Sequence, residues 1–197
     1  MTEGDGSPTG SPTNDRPFPN CYCVPNSGII AGEYPVDSDK SRERGKIDAL
    51  LNWGVEVFID LTEEGELPSY ESLLREEAQA RGVSAEYIRF PMRDFRIPGL
   101  RDMQRLLGLI ANMQQSGKRI YLHCWGGVGR TGTVVGCYLV DRGYSPDESL
   151  DLVRRLFRQM SPEKLERHPD GSPETDAQRT FVRLWAKQGS KSASAAP

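Results

Sequence analysis

Histidine is scarce in this 197-residue chain, with two in all, and there are only four cysteines. A metal centre built on Cys/His spacing therefore has almost nothing to draw on, and neither a metal nor another cofactor is expected. The cysteines, Cys21, Cys23, Cys124 and Cys137, lack the spacing of a disulfide framework. Cys21 and Cys23 are too close for an ordinary bridge, so all four read as thiols. No apolar run is long enough to span a bilayer, and the N-terminal MTEGDGSPTGSPTNDRPFPN lacks the basic-then-apolar order of a secretory signal. The expectation is a cytoplasmic chain without a membrane span. A charge excess is missing too: 25 basic residues face 28 acidic ones, for a net charge of -3. No overall field attracts nucleic acid, no stable nucleic-acid binding is expected, and any preference for an anion must be local.

What is present is the balance of a globular chain, 37% hydrophobic and 27% charged, at a length that suits one domain. Residues 1–17 and 190–197 are rich in small and polar residues that cannot offset their own ordering entropy, and they read as disordered tails around a domain at 18–189. Inside it, apolar β-branched runs alternate with amphipathic patterns. GIIAGE, VEVFIDL, AEYIRFPM and RIYLHC predict strands, and residues 38–52, 68–80, the run from Leu100 to Ile110, TGTVVGCYLV, the segment after Ser145 and about 173–187 predict helices. Ser145 with Glu148 forms a capping box. The alternation predicts an α/β fold: a central, mostly parallel twisted sheet of about four to five strands flanked by helices.

One stretch carries chemistry: IYLHCWGGVGRTGTVVGCYLV, residues 120–140. A strand ends at Cys124, a buried helix follows, and Trp125, Gly126, Gly127, Val128 and Gly129 fill the turn. The glycines admit positive φ, so successive N–H groups can converge on a tetrahedral oxyanion at the helix N-terminus. Cys124 lies at the base of that nest, where N–H dipoles and the Arg130 guanidinium favour a thiolate. Arg130 can hold two phosphate oxygens in its planar fork, and the Thr131 hydroxyl can donate to the sulfur. Cys137, in the apolar helix, reads as core.

The run His123-Cys124, five residues, then Arg130-Thr131-Gly132 resembles the phosphate-binding loop of the cysteine-dependent protein tyrosine phosphatases. Its position after several strand–helix units is similar to the dual-specificity branch, and the resemblance covers about residues 20–188. It implies a phosphomonoester hydrolase in which the Cys124 thiolate attacks phosphorus and forms a phosphocysteine, while a general acid protonates the leaving oxygen.

Asp94 is the candidate acid. It stands thirty residues before Cys124, after the strand AEYIRFPM, and Asp-Phe-x-x-Pro resembles the acid loop of the dual-specificity branch. Asp102 falls within the next helix, where a first-turn aspartate is usually a dipole partner. Arg93 and Arg96 are either plain surface charges or attract an anionic substrate. Gln178 either resembles the family's water-positioning glutamine or completes a capping box with Thr175, against which Ser172-Pro173 offers another helix start. By strand alternation His123 points away from the nucleophile and tunes the loop by hydrogen bonding. His168 reads as a polar surface residue. TEEGELPSYE after the second strand reads as a specificity loop or as a solvated acidic turn.

The expected substrate is a phosphorylated protein or peptide. The alternatives are a phosphorylated lipid such as a phosphoinositide, an inositol phosphate, an RNA 5'-phosphate or another small phosphomonoester. The lipid-directed branch of the family this chain resembles tends to carry lysines in this loop, so their absence between Cys124 and Arg130 disfavours polyanions, and retention of the cysteine, arginine and aspartate together argues against a binding module without turnover.

Overall fold

The computed structural model describes residues 16–36, 39 and 44–189. Five strands form one sheet in the order β1-β2-β5-β3-β4: β1 (Cys21–Cys23), β2 (Ile29–Gly32), β3 (Val55–Asp60), β4 (Glu86–Arg89) and β5 (Arg119–His123). All pairings are parallel except β1 with β2. This is the expected mostly parallel α/β sheet, with one antiparallel strand at its edge. The central strands β3 and β5 are buried almost throughout because helices cover both faces, which is why their sequences run apolar rather than alternating.

On one face α1 (Gly45–Asn52) and α2 (Glu71–Arg81) bury Ile47, Leu50, Leu51, Leu74 and Ala78 against Phe58 and Tyr121. On the other, α3 (Leu100–Gln115), α4 (Gly129–Asp141), α5 (Pro146–Phe157) and α7 (Asp176–Gly189) supply a larger core that includes Met103, Leu106, Val134, Val153, Val182 and Trp185. The capping box of α5 is present, with Ser145 accepting from the Glu148 N–H and Glu148 reaching back to the Ser145 N–H. The helix α4 is buried from Gly129 to Leu139, as its all-round apolar sequence requires.

Two elements were not anticipated, and one proposed helix start needs correction. The Cys21-Tyr22-Cys23 stretch is a strand, held as an edge by its register with Gly32, Ala31 and Ile30. A short helix α6 (Pro162–Arg167), capped by Ser161, was not anticipated. Ser172 does not cap the last helix: its hydroxyl donates to the Val128 carbonyl at 2.7 Å, and Thr175 accepts the first-turn N–H of Gln178 instead. The described chain begins inside the segment read as a tail, with Pro17 already buried and Arg16 donating to the Gln159 carbonyl. Residues 1–15 and 190–197 of the two tails, and most of the 38–43 start of the first predicted helix, lie outside the described residues.

Candidate active site

The chain runs out along β3 to β4 on one side and returns through α3 to β5, between β2 and β3. That reversal opens a crevice beyond the carboxyl ends of the strands, the usual ligand position in such sheets. Glu33 and Tyr34 follow β2, Glu66 follows β3, Asp94 follows β4 and Cys124 follows β5. Glu33, Tyr34, Asp94 and Cys124 line a cleft of about 830 Å³ together with Trp125, Gly126, Val128, Gly129 and Arg130, and Glu66 reaches that lining through Arg130.

The loop from Cys124 to Gly129 has its tight geometry for identifiable reasons. Gly127 has φ 74° and abuts the backbone of Gly32 so closely that a β-carbon would collide with it. The Trp125 carbonyl accepts from the Tyr34 N–H at 2.9 Å, and the Gly126 carbonyl accepts from Lys164 Nζ at 3.2 Å. Lys164 is in turn paired with Glu33 at 2.7 Å. The loop carbonyls are thus drawn outward.

Cys124 is buried, and Thr131 Oγ1 donates to its sulfur at 3.1 Å. His123 lies on the opposite face of the sheet, as strand alternation requires, with Nε2 2.7 Å from the Tyr70 hydroxyl and Nδ1 3.1 Å from the Cys124 carbonyl oxygen. Burial pushes its pKa down to about 4, so the ring is neutral and the Nδ1–H donates to that carbonyl.

Arg130 is 1% exposed, and its two edges differ. Nη1 and Nη2 donate to the Glu66 carboxylate at 2.7 and 2.6 Å, and Nη1 also donates to the Met92 carbonyl at 3.2 Å. On the other edge Nη2 lies 3.2 Å from Asp94 Oδ1, while Nε is buried without a hydrogen-bond partner. Against the downward pull of burial, Glu66 together with Cys124 and Asp94 raises the guanidinium above its ordinary value. The Arg130 hydrogen bond is the main reason that Glu66 falls below the ordinary glutamate range.

Gln178 is fully buried beside the same loop. Its Oε1 accepts from the Glu174 and Thr175 N–H groups at 3.1 Å each, and its own N–H donates to Thr175 Oγ1 at 3.2 Å. The capping box is therefore formed, yet Nε2 keeps no partner and sits close against Gly129. Two of the buried polar side-chain atoms that lack partners thus border the glycine loop, and both are donors.

The structure brings Cys124, Arg130, Thr131, Asp94 and Gln178 together, with His123 behind the loop. Two readings change. The acidic loop after β3 is not a solvated turn throughout, since Glu66 clamps the arginine; nothing local in TEEGELPSYE pairs it with a residue 64 positions later. His168 is half-buried, bonds Glu174 at 3.1 Å and lines the cleft. Asp102 stays in the first turn of α3, where it pairs with Arg105.

Cys21 sits two strands from β5 in the register Cys21, Gly32, His123, roughly 10 Å away at ordinary strand spacing and beyond disulfide reach of that strand. Burial pushes its thiol up to about 12. Cys137 is core. No group of three or more His, Cys, Asp or Glu among the described residues could hold a metal ion, and no described helix is long and apolar enough to cross a membrane.

A sequence model of the family described as "Swiss Army Knife protein, DSP-PTPase phosphatase domain" matches residues 33–182. The chain is 32% identical over 123 residues to protein 067L of Invertebrate iridescent virus 3, named as a tyrosine phosphatase, covering 58% of this chain and 46% of that one. It is 26% identical over 144 residues to the phosphatidylglycerophosphatase and protein-tyrosine phosphatase 1 of Rattus norvegicus, covering 70% and 69%. The chain thus spans less than half the length of the viral relative. Among solved structures, Tk-PTP in its active form superimposes with a TM-score of 0.62 at 25% identity, over 87% of this chain and 99% of that one.

Proposed function

The chain belongs to the dual-specificity-like branch of the protein tyrosine phosphatase superfamily, and on that premise we propose that it hydrolyses phosphomonoesters in two steps through Cys124. The sulfur attacks phosphorus in line, the P–O bond to the leaving group breaks, and Asp94 gives its proton to the departing oxygen. Asp94 then takes a proton from water as that water attacks the phosphocysteine, releasing inorganic phosphate and the free thiolate. Arg130 and the N–H groups of Trp125 to Arg130 balance the charge on the non-bridging oxygens. Thr131 stabilises the sulfur as it leaves, and Gln178 positions the water.

The observation that carries this reading is the pair of unpartnered buried donors, Arg130 Nε and Gln178 Nε2, at the glycine loop beside Cys124. A buried donor without an acceptor costs about 1–3 kcal/mol, so such atoms belong where a ligand completes them. Arg130 offers a phosphate the Nε/Nη2 edge because Glu66 already fills the Nη1/Nη2 edge. The nucleophile, acid and anion-binding groups all come from the chain, and the chemistry calls for no metal.

The leading substrate class is a phosphorylated protein or peptide. A second reading, a phosphorylated lipid, inositol phosphate or RNA 5'-phosphate, is favoured by one feature: the cleft lining holds Arg167 together with Lys46 and Lys164, two cations that share the single carboxylate of Glu33, although the loop itself holds no lysine. The name of the rat relative points the same way. The test is phosphate release in EDTA from phosphotyrosine, phosphoserine and phosphothreonine peptides, a phosphoinositide and an RNA 5'-phosphate, each repeated with Cys124→Ser. Release abolished by the substitution supports the hydrolase, and the ranking of substrates decides between the readings. Undiminished release by Cys124→Ser removes both.

A further inference from the structure

Of the seven large apolar side chains that stand exposed among the described residues, three lie close together in the chain just after Asp94 and a fourth stands on the glycine loop. Phe95 (59% exposed), Ile97 (49%) and Leu100 (42%) follow Asp94 into the start of α3, and Trp125 (60%) stands on the glycine loop. Phe95 and Trp125 both line the cleft, whereas Ile97 and Leu100 lie outside its lining and take no part in the chemistry above. Single exposed apolar residues are ordinary, but three within six residues, beside a cleft that Phe95 shares with Trp125, suit a contact surface. Phe95 also holds φ 55°, a left-handed conformation that bulky residues rarely adopt, while more than half of it stays exposed.

Arginines interleave with these side chains. Arg93, Arg96 and Arg101 are all exposed, and none is engaged by a carboxylate among the described residues. Residues 93–105 hold four arginines against two aspartates, a local excess of positive charge in a chain whose net charge is -3. Protruding apolar groups interleaved with unpaired guanidiniums suit a surface that is apolar just beneath a layer of phosphates. Phe, Ile, Leu and Trp enter the acyl boundary while arginine heads stay with the headgroups. A protein partner would need a pocket for each projecting side chain and a matched carboxylate for each arginine; a fluid anionic bilayer presents both everywhere.

We infer that this rim docks the face bearing Cys124 onto an anionic lipid surface. Because Phe95 directly follows Asp94, docking also fixes the loop that carries the carboxylate. The inference is independent of the hydrolase reading and holds whichever phosphomonoester is the substrate.

The test is flotation of the full chain with vesicles of phosphatidylcholine alone and of phosphatidylcholine with about one-fifth phosphatidylserine. Neither contains a phosphomonoester, so capture reports docking and not substrate binding. The expected result is binding to the anionic vesicles, roughly a hundredfold weaker to the neutral ones, as three basic residues at the surface imply. A blue shift of indole emission accompanies it and is lost in Trp125→Phe. Leu100→Ser with Arg101→Ser lowers binding by about tenfold or more and leaves hydrolysis of p-nitrophenyl phosphate unchanged, since both residues are exposed on α3, past the acid loop and outside the cleft lining. The inference is overturned by no flotation with either vesicle, or by equal flotation of the double variant. It is also overturned if the double variant loses turnover of a phosphotyrosine peptide while no vesicle is bound, which would give the rim to a protein partner. Failure to hydrolyse p-nitrophenyl phosphate would sink the hydrolase reading alone, and flotation would still decide the docking.

Discussion

Replacing Glu66 by glutamine removes the charge from a carboxylate that holds a buried arginine by both terminal nitrogens, at 2.6 and 2.7 Å. Breaking a buried ion pair from one side costs about 3–5 kcal/mol when the remaining charge has no other partner. Here Asp94 at 3.2 Å and the Met92 carbonyl still receive Arg130, and Glu66 is 17% exposed, so the loss falls near 2 kcal/mol. For a chain of this size that lowers the melting temperature by roughly 5 °C. The same change frees the guanidinium to rotate its Nε/Nη2 edge away from the glycine loop, and the affinity for vanadate or phosphate falls about tenfold. Thermal melts of both proteins, with and without vanadate, read both effects at once: the variant melts lower and vanadate raises its melting point less. An unchanged melt with unchanged vanadate response would mean that the glycine loop alone aims Arg130. Tighter vanadate binding by Glu66→Gln would refute the reasoning more sharply, since it would place Glu66 where the substrate belongs.

Asp94→Asn lowers kcat by about a hundredfold or more on alkyl phosphates and far less on p-nitrophenyl phosphate, whose leaving group needs little protonation; equal losses on both would remove Asp94 from the acid role. Thr131→Ala keeps phosphate affinity but slows turnover of the phosphocysteine, because the sulfur loses its hydroxyl donor at 3.1 Å, and a larger burst in rapid-quench kinetics reports it. His123, whose pKa burial pushes down to about 4, stays neutral in the fold, whereas the unfolded chain binds a proton below about pH 6.5. Stability is therefore full above that pH and declines by up to about 3 kcal/mol as pH falls toward 4. Denaturant melts across that window show the slope, and His123→Gln flattens it.

Much of this site was legible in the sequence because it is local. Cys124, the glycines, Arg130 and Thr131 form one strand–turn–helix, and the backbone geometry of that unit follows from residues that touch one another in the chain. Asp94 was readable as a loop carboxylate after a strand. Its proximity to Arg130 comes from the parallel pairing of β3 with both β4 and β5, which brings their carboxyl ends together. Glu66 was not readable, since its role exists only where the end of β3 meets the end of β5. The strand β1 was missed for a related reason: three residues gain strand structure only from the edge of β2. By contrast α6 carried a usable signal, Ser161 followed by Pro162 and Glu163, which marks a helix start. Gln178 forms the capping box with Thr175 that was one of its two readings, while its amide nitrogen is left without a partner beside the loop.

The central claim is that Cys124 carries the phosphoryl group during turnover, and acid quench of the reaction with mass analysis of the Cys124 peptide tests it most directly. The account predicts a mass increase of one phosphoryl group on that peptide within the first turnover, enhanced in Thr131→Ala and absent in Cys124→Ser, with EDTA present throughout. Phosphate release without any phosphorylated Cys124, or a phosphoryl group carried on another residue, would contradict it.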